Sequence, residues 1–378
     1  MKRAKGDACN IQKIKVFRIV DDNFLAIWKK YGIVVEMPKK KHIFCKNVLT
    51  YKNDIQKNKC GVASLSIDFL KTLHIGDIVS LDYQGNAVVL WKSGDEDNLL
   101  YLTDFCNSHC IMCPQTAEEE NRNFYELSRT VLGLIEDKPK YLCLTGGEPT
   151  FIKYKYIEVT TTIKDKFPKI ALQVLTNGKN LSDFAFVKKC VLNSPVDTLY
   201  AIPLYSGNGA LHDKIVGAKG SFEKSIYGIL NLYRLYQKIE LRIVVTKDNY
   251  LDLQNIAHFI YWNFPFVFRI AFMGMETHGM AEENLNDVWI EPIEYMTELK
   301  EAVLYLHMRQ LNVVVYNLPY CILDEEIRTF SADSISKWKK IFLAECMNCQ
   351  WSDKCAGIFA TSIKIPRGIQ NKITNHNK

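Results

Sequence analysis

The sequence predicts an α/β fold: a partial (β/α)6 barrel with a small β domain before it and a cysteine-rich extension after it. Three observations support this prediction. Residues 97–290 alternate apolar, β-branched segments with segments of helical periodicity, which is typical of a parallel sheet with helical crossovers. Residues 1–96 carry short strand patterns between turn residues. Residues 291–378 continue with a helix and a strand pattern and then contain four cysteines.

Six segments have the pattern of barrel strands, each a run of apolar and β-branched residues. Helical segments such as "FYELSRTVLGLIED" and "SFEKSIYGILNLYRLYQ" lie between them. Active sites of such TIM-type barrels lie at the C-terminal ends of the strands, so the residues that follow each strand are the first candidates for chemistry. In chain order the strands are "NLLYLT", "YLCLTGG", "IALQVLTNG", "VDTLYAIPLYS", "IELRIVVT" and "FVFRIAFMG".

The flanking regions have patterns of their own. Short strands are predicted in residues 1–96 at "FRIV", "GIVVEM", "KHIFCKNVL" and "GDIVSLDYQGNAVVLWKSGDE". Downstream of the barrel, "EPIEYMTELKEAVLYLHMRQ" predicts a helix and "NVVVYNLP" a strand.

Composition excludes several classes of protein. The chain has 378 residues, of which 48% are hydrophobic and 24% charged, as in ordinary globular proteins. Its net charge of +6 is small and spread along the chain, so nucleic-acid binding is not expected. No apolar run approaches the roughly 18 residues of a membrane span, and the first residues lack a signal-peptide core. We therefore expect a cytoplasmic protein that does not bind membranes.

Seven of the twelve cysteines fall into two groups, and grouped cysteines in a chain without a secretory signal predict metal binding. The first group is Cys106, Cys110 and Cys113, spaced C-x3-C-x2-C directly after the first barrel strand. Three thiolates suit a [4Fe–4S] cluster in which the fourth iron stays open. The alternatives are a zinc site, for which His109 is poorly placed beside Cys110, and a redox dithiol.

A second motif, "TGGEPT", follows the next barrel strand at residues 145–150. Its two glycines let the backbone approach a ligand closely. Glu148 offers a carboxylate that can accept hydrogen bonds from an amino group. Taken alone, the segment is equally compatible with a tight turn.

Together, the cysteine loop and the GGEP motif resemble the radical S-adenosylmethionine (SAM) superfamily. The resemblance implies that Cys106, Cys110 and Cys113 hold a [4Fe–4S] cluster whose open iron is chelated by SAM. It also implies reductive cleavage of SAM to a 5′-deoxyadenosyl radical, which abstracts hydrogen from the substrate. The residues expected at the methionine end of SAM are Gly146, Gly147, Glu148 and Pro149.

The same resemblance implies five further SAM contacts. Met112 stands where the superfamily often has an aromatic residue against adenine, and its thioether can pack in the same way. Asn177, Ser206, Arg242 and Thr246 are candidates for the ribose and the carboxylate. The alternatives are a turn for Asn177, a turn cap for Ser206 and a structural ion pair for Arg242.

The second cysteine group lies in the tail, where Cys346, Cys349 and Cys355 follow Cys321. Their C-x2-C-x5-C spacing resembles the auxiliary-cluster extensions called SPASM and twitch domains, found in radical enzymes that modify peptides. Because Phe359 stands four residues after Cys355, a full two-cluster SPASM domain is not expected. Four cysteines can saturate one auxiliary [4Fe–4S] cluster. The alternative is a zinc site with four cysteine ligands.

The C-terminal stretch from Tyr320 to Ser362, which includes "DSISKWK", resembles the His-Xaa-Ser system radical SAM maturase family, C-type. The barrel segments "TDFCNSHCIMCPQ" and "LTGGEPTF" fit the same family, so the resemblance covers about residues 95–365. The segment "CPQTAEEE" departs from that family's pattern. The resemblance implies a ribosomally synthesised precursor peptide as substrate, a second radical SAM maturase as partner, and an electron donor such as flavodoxin or ferredoxin. Two alternatives stay open: a radical SAM enzyme acting on a small molecule or nucleotide, and a zinc-stabilised binding protein without catalysis.

Overall fold

The computed structural model describes residues 2–21, 31–36, 46–53, 55, 59–115 and 123–369. The chain divides into two compact units. The first comprises Met1–Leu102, Arg122–Cys143 and Thr162–Ile170, and the second Thr103–Asn121, Leu144–Thr161 and Ala171–Lys378. The domain boundaries expected after residues 96 and 290 stay a prediction.

The first unit is built on a mixed β-sheet. Its first elements are β1 (Arg3–Lys5), β2 (Asp7–Cys9), β3 (Lys15–Ile19), β4 (Gly32–Glu36), β5 (Asn47–Thr50), β6 (Cys60–Ala63), α1 (Ile67–Lys71), β7 (Ile78–Leu81) and β8 (Asn86–Trp91). In the described residues these strands are ordered β1-β8-β7-β3-β4-β5-β6-β2. The predicted strand-rich character of the region is confirmed, although residues 41–45 of "KHIFCKNVL" lie outside the described ranges.

Buried aliphatic and aromatic side chains form the core of this sheet, among them Phe17, Ile33, Leu49 and Val79. The unit also contains β9 (Leu99–Tyr101) and α2 (Phe124–Leu134). β10 (Tyr141–Thr145) and α3 (Tyr154–Lys166) each run from one unit into the other.

The second unit alternates strands and helices. Its strands β11 to β16 pair in sequence order, and every pair is parallel. Since this is the sheet that the alternating pattern predicts, the α/β class is confirmed. The strands are β11 (Ala171–Leu175), β12 (Thr198–Pro203), β13 (Lys238–Val244), β14 (Arg269–Met273), β15 (Val313–Tyr316) and β16 (Ser331–Ala332). The helices are α4 (Phe184–Leu192), α5 (Gly209–Val216), α6 (Ser221–Arg234), α7 (Leu253–Asn263), α8 (Met280–Glu283), α9 (Leu285–Val288) and α10 (Met296–His307).

Strand β13 shows how the sheet places polar groups. Successive side chains of a strand point to opposite faces. Ile239, Leu241 and Ile243 share one face and are almost completely buried. Glu240 and Arg242 share the other face, so this strand buries apolar side chains on one side and carries two charged side chains on the other. The tail ends in a short antiparallel pair, β17 (Lys340–Ile341) with β18 (Ile358–Phe359).

No helix within the described ranges combines the length and the apolar character needed to cross a membrane.

Candidate active site

The cysteine loop follows β9 and is fixed by the C-terminal end of α5. The N–H of His109 donates to the carbonyl of Val216 at 2.9 Å, and the N–H of Ile111 donates to that of Ile215 at 3.2 Å. α5 ends at Gly217, whose φ is +60°. A Cβ at this position would lie 2.4 Å from the carbonyl oxygen of His109. Glycine is therefore required here, both for the left-handed backbone and for contact with the loop.

The three thiols of the loop form no disulfide and are partly buried. Burial raises the pKa of Cys106 and of Cys113, and it raises the pKa of Cys110 to about 12. The N–H of Ser108 acts in the opposite direction on Cys106. Thiols of this kind are protonated near neutral pH, so binding of iron must release protons.

The two glycines of the GGEP motif pack on the chain that leads into the cysteine loop. The N–H of Gly147 donates to the carbonyl of Thr103 at 2.6 Å, and the N–H of Glu148 to that of Phe105 at 2.8 Å. A Cβ on Gly146 would lie 2.4 Å from the Thr103 oxygen, and one on Gly147 would lie 2.4 Å from the Phe105 oxygen. The glycines thus bring two backbone segments together.

Glu148 is completely buried, and its carboxylate accepts several hydrogen bonds. Its Oε1 accepts from the N–H and the hydroxyl of Thr150, at 2.9 and 2.6 Å, and from the hydroxyl of Thr176 at 2.7 Å. Its Oε2 accepts from the N–H of Asn177 at 2.7 Å. Burial raises the pKa of Glu148, and these hydrogen bonds oppose the rise. Glu148 therefore joins the end of β10 to the turn after β11. Its contact with the amino group of SAM stays a prediction, as does the role of Pro149.

The turn after β11 also holds the cysteine loop. The Nδ2 of Asn177 donates to the Oδ1 of Asn107 at 2.6 Å and lies 3.9 Å from the Sγ of Cys106. The Nζ of Lys179 donates to the carbonyl of Asn107 and, at 3.1 Å, to the hydroxyl of Ser108. Sequence reasoning missed Lys179 and Asn107, because a lysine after a turn is ordinarily exposed.

Ser206 and Thr246 belong to a buried polar network at the ends of β12 and β13. The hydroxyl of Ser206 donates to Asp252 at 2.6 Å. The Oδ1 of Asn249 accepts from the N–H of Thr246 at 2.8 Å, and its Nδ2 donates to the carbonyl of Tyr205 at 3.1 Å. Both hydroxyl-bearing residues are fully buried. These hydrogen bonds agree with the alternative in which Ser206 serves a turn. Contacts of Ser206 and Thr246 with SAM stay predictions.

Arg242 shares a carboxylate with a second arginine. Its Nε lies 3.1 Å from the Oε1 of Glu240, while the Nε of Arg269 donates to the Oε2 at 2.6 Å. Glu240 is completely buried, whereas the side chains of Arg242 and Arg269 are 20% and 25% exposed. Two guanidinium groups against one carboxylate leave a net positive charge. The group therefore suits an anion such as the SAM carboxylate, and that contact stays a prediction.

Met112 lies in an apolar cluster. It is 4% exposed and packs with Tyr205, Ile215 and Met275. This cluster supplies an apolar wall beside the cysteine loop. The contact with adenine stays a prediction.

The four tail thiols line one cavity. Cys321, Cys346, Cys349 and Cys355 surround it, together with apolar side chains that include Trp351. Within the described residues no three His, Cys, Asp or Glu side chains converge closely enough to hold a single metal ion. The thiols instead face a common space.

Backbone donors distinguish Cys355 within this group. Its Sγ accepts from the N–H groups of Tyr320 and Gly357, each at 3.3 Å. Burial raises the pKa of Cys321 to about 11, and the neighbouring Cys355 adds to the rise. Thiol ligands around a cavity, with N–H groups aimed at sulfur, fit the donor set of an iron–sulfur cluster.

Comparison with known proteins identifies the barrel region. Residues 100–260 match the sequence model of the Radical SAM superfamily. These residues form a radical SAM domain. The superfamily implies a [4Fe–4S] cluster and SAM, and the match spans the cysteine loop and the GGEP motif. The predicted superfamily is confirmed, and the more specific maturase family stays a prediction.

Two curated relatives match part of the chain. The chain is 27% identical over 176 residues to Fe-coproporphyrin III synthase of Methanosarcina barkeri, which covers 45% of this chain and 39% of the relative. It is 31% identical over 77 residues to 7-carboxy-7-deazaguanine synthase of Methanospirillum hungatei, covering 20% and 28%. The chain thus spans less than half the length of either relative.

Solved structures show a distant likeness. One is Streptococcus suis SuiB bound to precursor peptide SuiA, with a TM-score of 0.45 and 17% identity over 57% of this chain and 48% of that one. Another is native anSMEcpe with bound AdoMet, with a TM-score of 0.42 and 15% identity over 57% and 62%. At these scores the likeness does not bear on substrate or partner.

Proposed function

We propose that the chain is a radical SAM enzyme that modifies a ribosomally synthesised precursor peptide. The observation that carries the peptide assignment is the second thiol group, in which Cys321, Cys346, Cys349 and Cys355 line one cavity. Such a group resembles the auxiliary-cluster extensions of peptide-modifying radical enzymes. The N–H donors to Cys355 support the binding of a cluster by this group.

The radical SAM domain supplies the first half of the chemistry. Cys106, Cys110 and Cys113 would hold its cluster, and the GGEP segment is hydrogen-bonded to the chain that enters their loop. A reduced cluster held there would supply the single electron that cleaves SAM to methionine and a 5′-deoxyadenosyl radical, which would take hydrogen from the substrate. Arg242 would attract the SAM carboxylate by charge, and Met112 would offer an apolar wall to adenine.

The tail supplies the second half. Cys321, Cys346, Cys349 and Cys355 would hold an auxiliary [4Fe–4S] cluster with four protein thiolates, which would leave no coordination position for a substrate atom. A cluster held by these residues would supply an electron acceptor rather than a substrate ligand. A substrate radical must give up an electron before a closed-shell product forms, and an acceptor held by the same chain serves that step.

A small-molecule substrate is the second candidate. Support for it comes from the two curated relatives, which are named as synthases of small molecules, an iron coproporphyrin and a deazaguanine. The partial coverage of those relatives leaves both substrate classes as proposals. A zinc-stabilised protein without catalysis is the third and least favoured candidate.

The test is coexpression with each short open reading frame next to the gene, followed by mass spectrometry of the peptides. We expect a mass change in one peptide, with release of 5′-deoxyadenosine by the purified protein under reducing, anaerobic conditions. Cys106→Ala should abolish both. If the reduced protein releases 5′-deoxyadenosine but no neighbouring peptide changes mass, the small-molecule candidate replaces the peptide one. A colourless protein that carries zinc instead of iron would overturn both.

A further inference from the structure

A lysine lies buried behind the cysteine loop. Lys179 follows β11 in "TNGKN" and is 8% exposed, although lysine is rarely buried unless its charge is paired. Among the described residues no carboxylate lies within ion-pair distance of its ammonium group. The ionisable groups that influence it are Cys106, Cys110, Glu148 and Lys224. Three of these four groups can carry negative charge.

The hydrogen bonds of Lys179 go to the segment between two of the proposed cluster ligands. Its Nζ donates to the carbonyl of Asn107 and to the hydroxyl of Ser108. Both residues lie between Cys106 and Cys110. The same turn makes two further contacts with this segment: the Nδ2 of Asn177 donates to the Oδ1 of Asn107 at 2.6 Å, and the Nδ2 of Asn107 donates to the Oδ1 of Asn180 at 3.3 Å.

Burial of a cation has a cost that nearby negative charge offsets. In the protein without iron, burial lowers the pKa of Lys179, while the neighbouring Cys106 and Cys110 act in the opposite direction. Charges in a protein interior interact more strongly than in water, because they are less screened. Thiolates in the cysteine loop would therefore stabilise the ammonium, and the ammonium would stabilise them in return.

We propose that Lys179 positions the segment between Cys106 and Cys110, and that its positive charge favours the one-electron reduced state of the cluster held there. The inference rests on the proposed function and concerns a residue outside the cysteine and GGEP motifs. Reduction adds one electron and hence one negative charge to the cluster. Net charge and hydrogen bonding near a cluster are among the factors that set its reduction potential.

The test compares three variants as reconstituted holoenzymes. Lys179→Met keeps a long, unbranched side chain but removes the charge and both hydrogen bonds. Lys179→Arg keeps the charge and the donors. Lys224→Met is the matched control, because Lys224 is exposed on α6 and adds positive charge near Lys179. The midpoint potential is measured by titration with dithionite, which donates the electron, and is followed by electron paramagnetic resonance. Iron retained after gel filtration is the second readout.

For Lys179→Met we expect at least a tenfold lower ratio of reduced to oxidised cluster at a fixed potential, which corresponds to about 59 mV for a one-electron couple. Lys179→Arg and Lys224→Met should stay close to the wild type. A wild-type potential in Lys179→Met would overturn the inference. If Lys179→Met fails to retain iron, Lys179→Arg decides: retained iron with a wild-type potential supports the inference, and lost iron overturns it. A wild type without a reducible cluster would overturn the proposed function itself.

Discussion

At the scale of single residues, Glu148 shows how a motif side chain can have an internal role beside its expected one. The carboxylate is fully buried and accepts four hydrogen bonds from Thr150, Thr176 and Asn177. A carboxylate has about four lone-pair sites, and three of these contacts fall on Oε1. A further donor, such as an amino group, would therefore approach Oε2.

Glu148→Gln should destabilise the protein as well as weaken SAM binding. The amide turns one acceptor into a donor that faces existing donors, which costs about 1–3 kcal/mol at a buried site. Urea unfolding of the iron-free protein measures this change. Glu223→Gln is the control, because Glu223 is exposed on α6, and it should change the unfolding free energy by less than about 0.5 kcal/mol. Equal stability of Glu148→Gln and the wild type would contradict the internal role.

His212 gives the protein a stability that depends on pH. Its ring is buried, and its Nδ1 accepts from the N–H of Tyr205 at 3.3 Å. Burial lowers the pKa of His212 to about 4. Between that value and the unfolded pKa of about 6.5, the unfolded state binds more protons, so stability falls as the pH falls.

The wild type should therefore lose about 2 kcal/mol of unfolding free energy between pH 7 and pH 5 through this one group. His212→Gln should lose less stability over the same interval. Urea unfolding of both iron-free proteins at the two pH values gives the difference. Parallel pH dependence in the two proteins would show that His212 titrates normally.

At the scale of elements, the end of α5 packs directly on the cysteine loop. Gly217 has a left-handed backbone and lies against His109, so an added methyl group meets the carbonyl oxygen of the loop. Gly220 also has a positive φ, +72°, but a Cβ there would meet nothing within 4 Å. Alanine substitutions at these two glycines therefore separate the cost of a left-handed backbone from the effect of contact with the loop.

Gly217→Ala should lower both the thermal stability of the iron-free protein and the iron retained after reconstitution. Gly220→Ala should show only the cost of the left-handed conformation, about 1 kcal/mol. Differential scanning calorimetry and iron analysis of the two variants measure these effects. If both variants retained the same iron, the contact between α5 and the cysteine loop would have no bearing on cluster binding.

The sequence predicted elements better than contacts. The six barrel strands and both cysteine groups follow from local periodicity and spacing, and the strands are present as β9 to β14. The packing of Gly147 on Phe105 and the burial of Lys179 depend on residues that lie far apart in the chain. For the glycines, sequence reasoning offered approach to a ligand or a tight turn, and the structure shows them against a neighbouring backbone. A lone lysine after a turn carries no local signal of burial.

At the scale of the whole molecule, the two thiol groups lie in separate parts of the sequence and have separable roles in the proposed function. Cys349→Ala should lose about four irons per chain and still release 5′-deoxyadenosine, without forming modified peptide, because Cys106, Cys110 and Cys113 are intact. Cys9→Ala is the control, since Cys9 lies in β2, far in sequence from either group, and should keep all its iron.

Three measurements check this uncoupling: metal content, 5′-deoxyadenosine release and peptide mass. Full peptide modification after complete loss of the second cluster would exclude a catalytic role for it. Loss of zinc rather than iron, with general misfolding of the tail, would identify a structural zinc site instead.

The hydrogen bonds between the turn after β11 and the cysteine loop have a consequence for biosynthesis. Asn177 and Lys179 follow Asn107 by 70 and 72 residues. At about 5–20 residues per second, a ribosome needs roughly 4–14 s to add that length. Until that length has been added, the hydrogen bonds from Asn177 and Lys179 to the loop cannot form. We therefore expect iron insertion to follow synthesis of the β11 turn, because only then is the segment between Cys106 and Cys110 held in place.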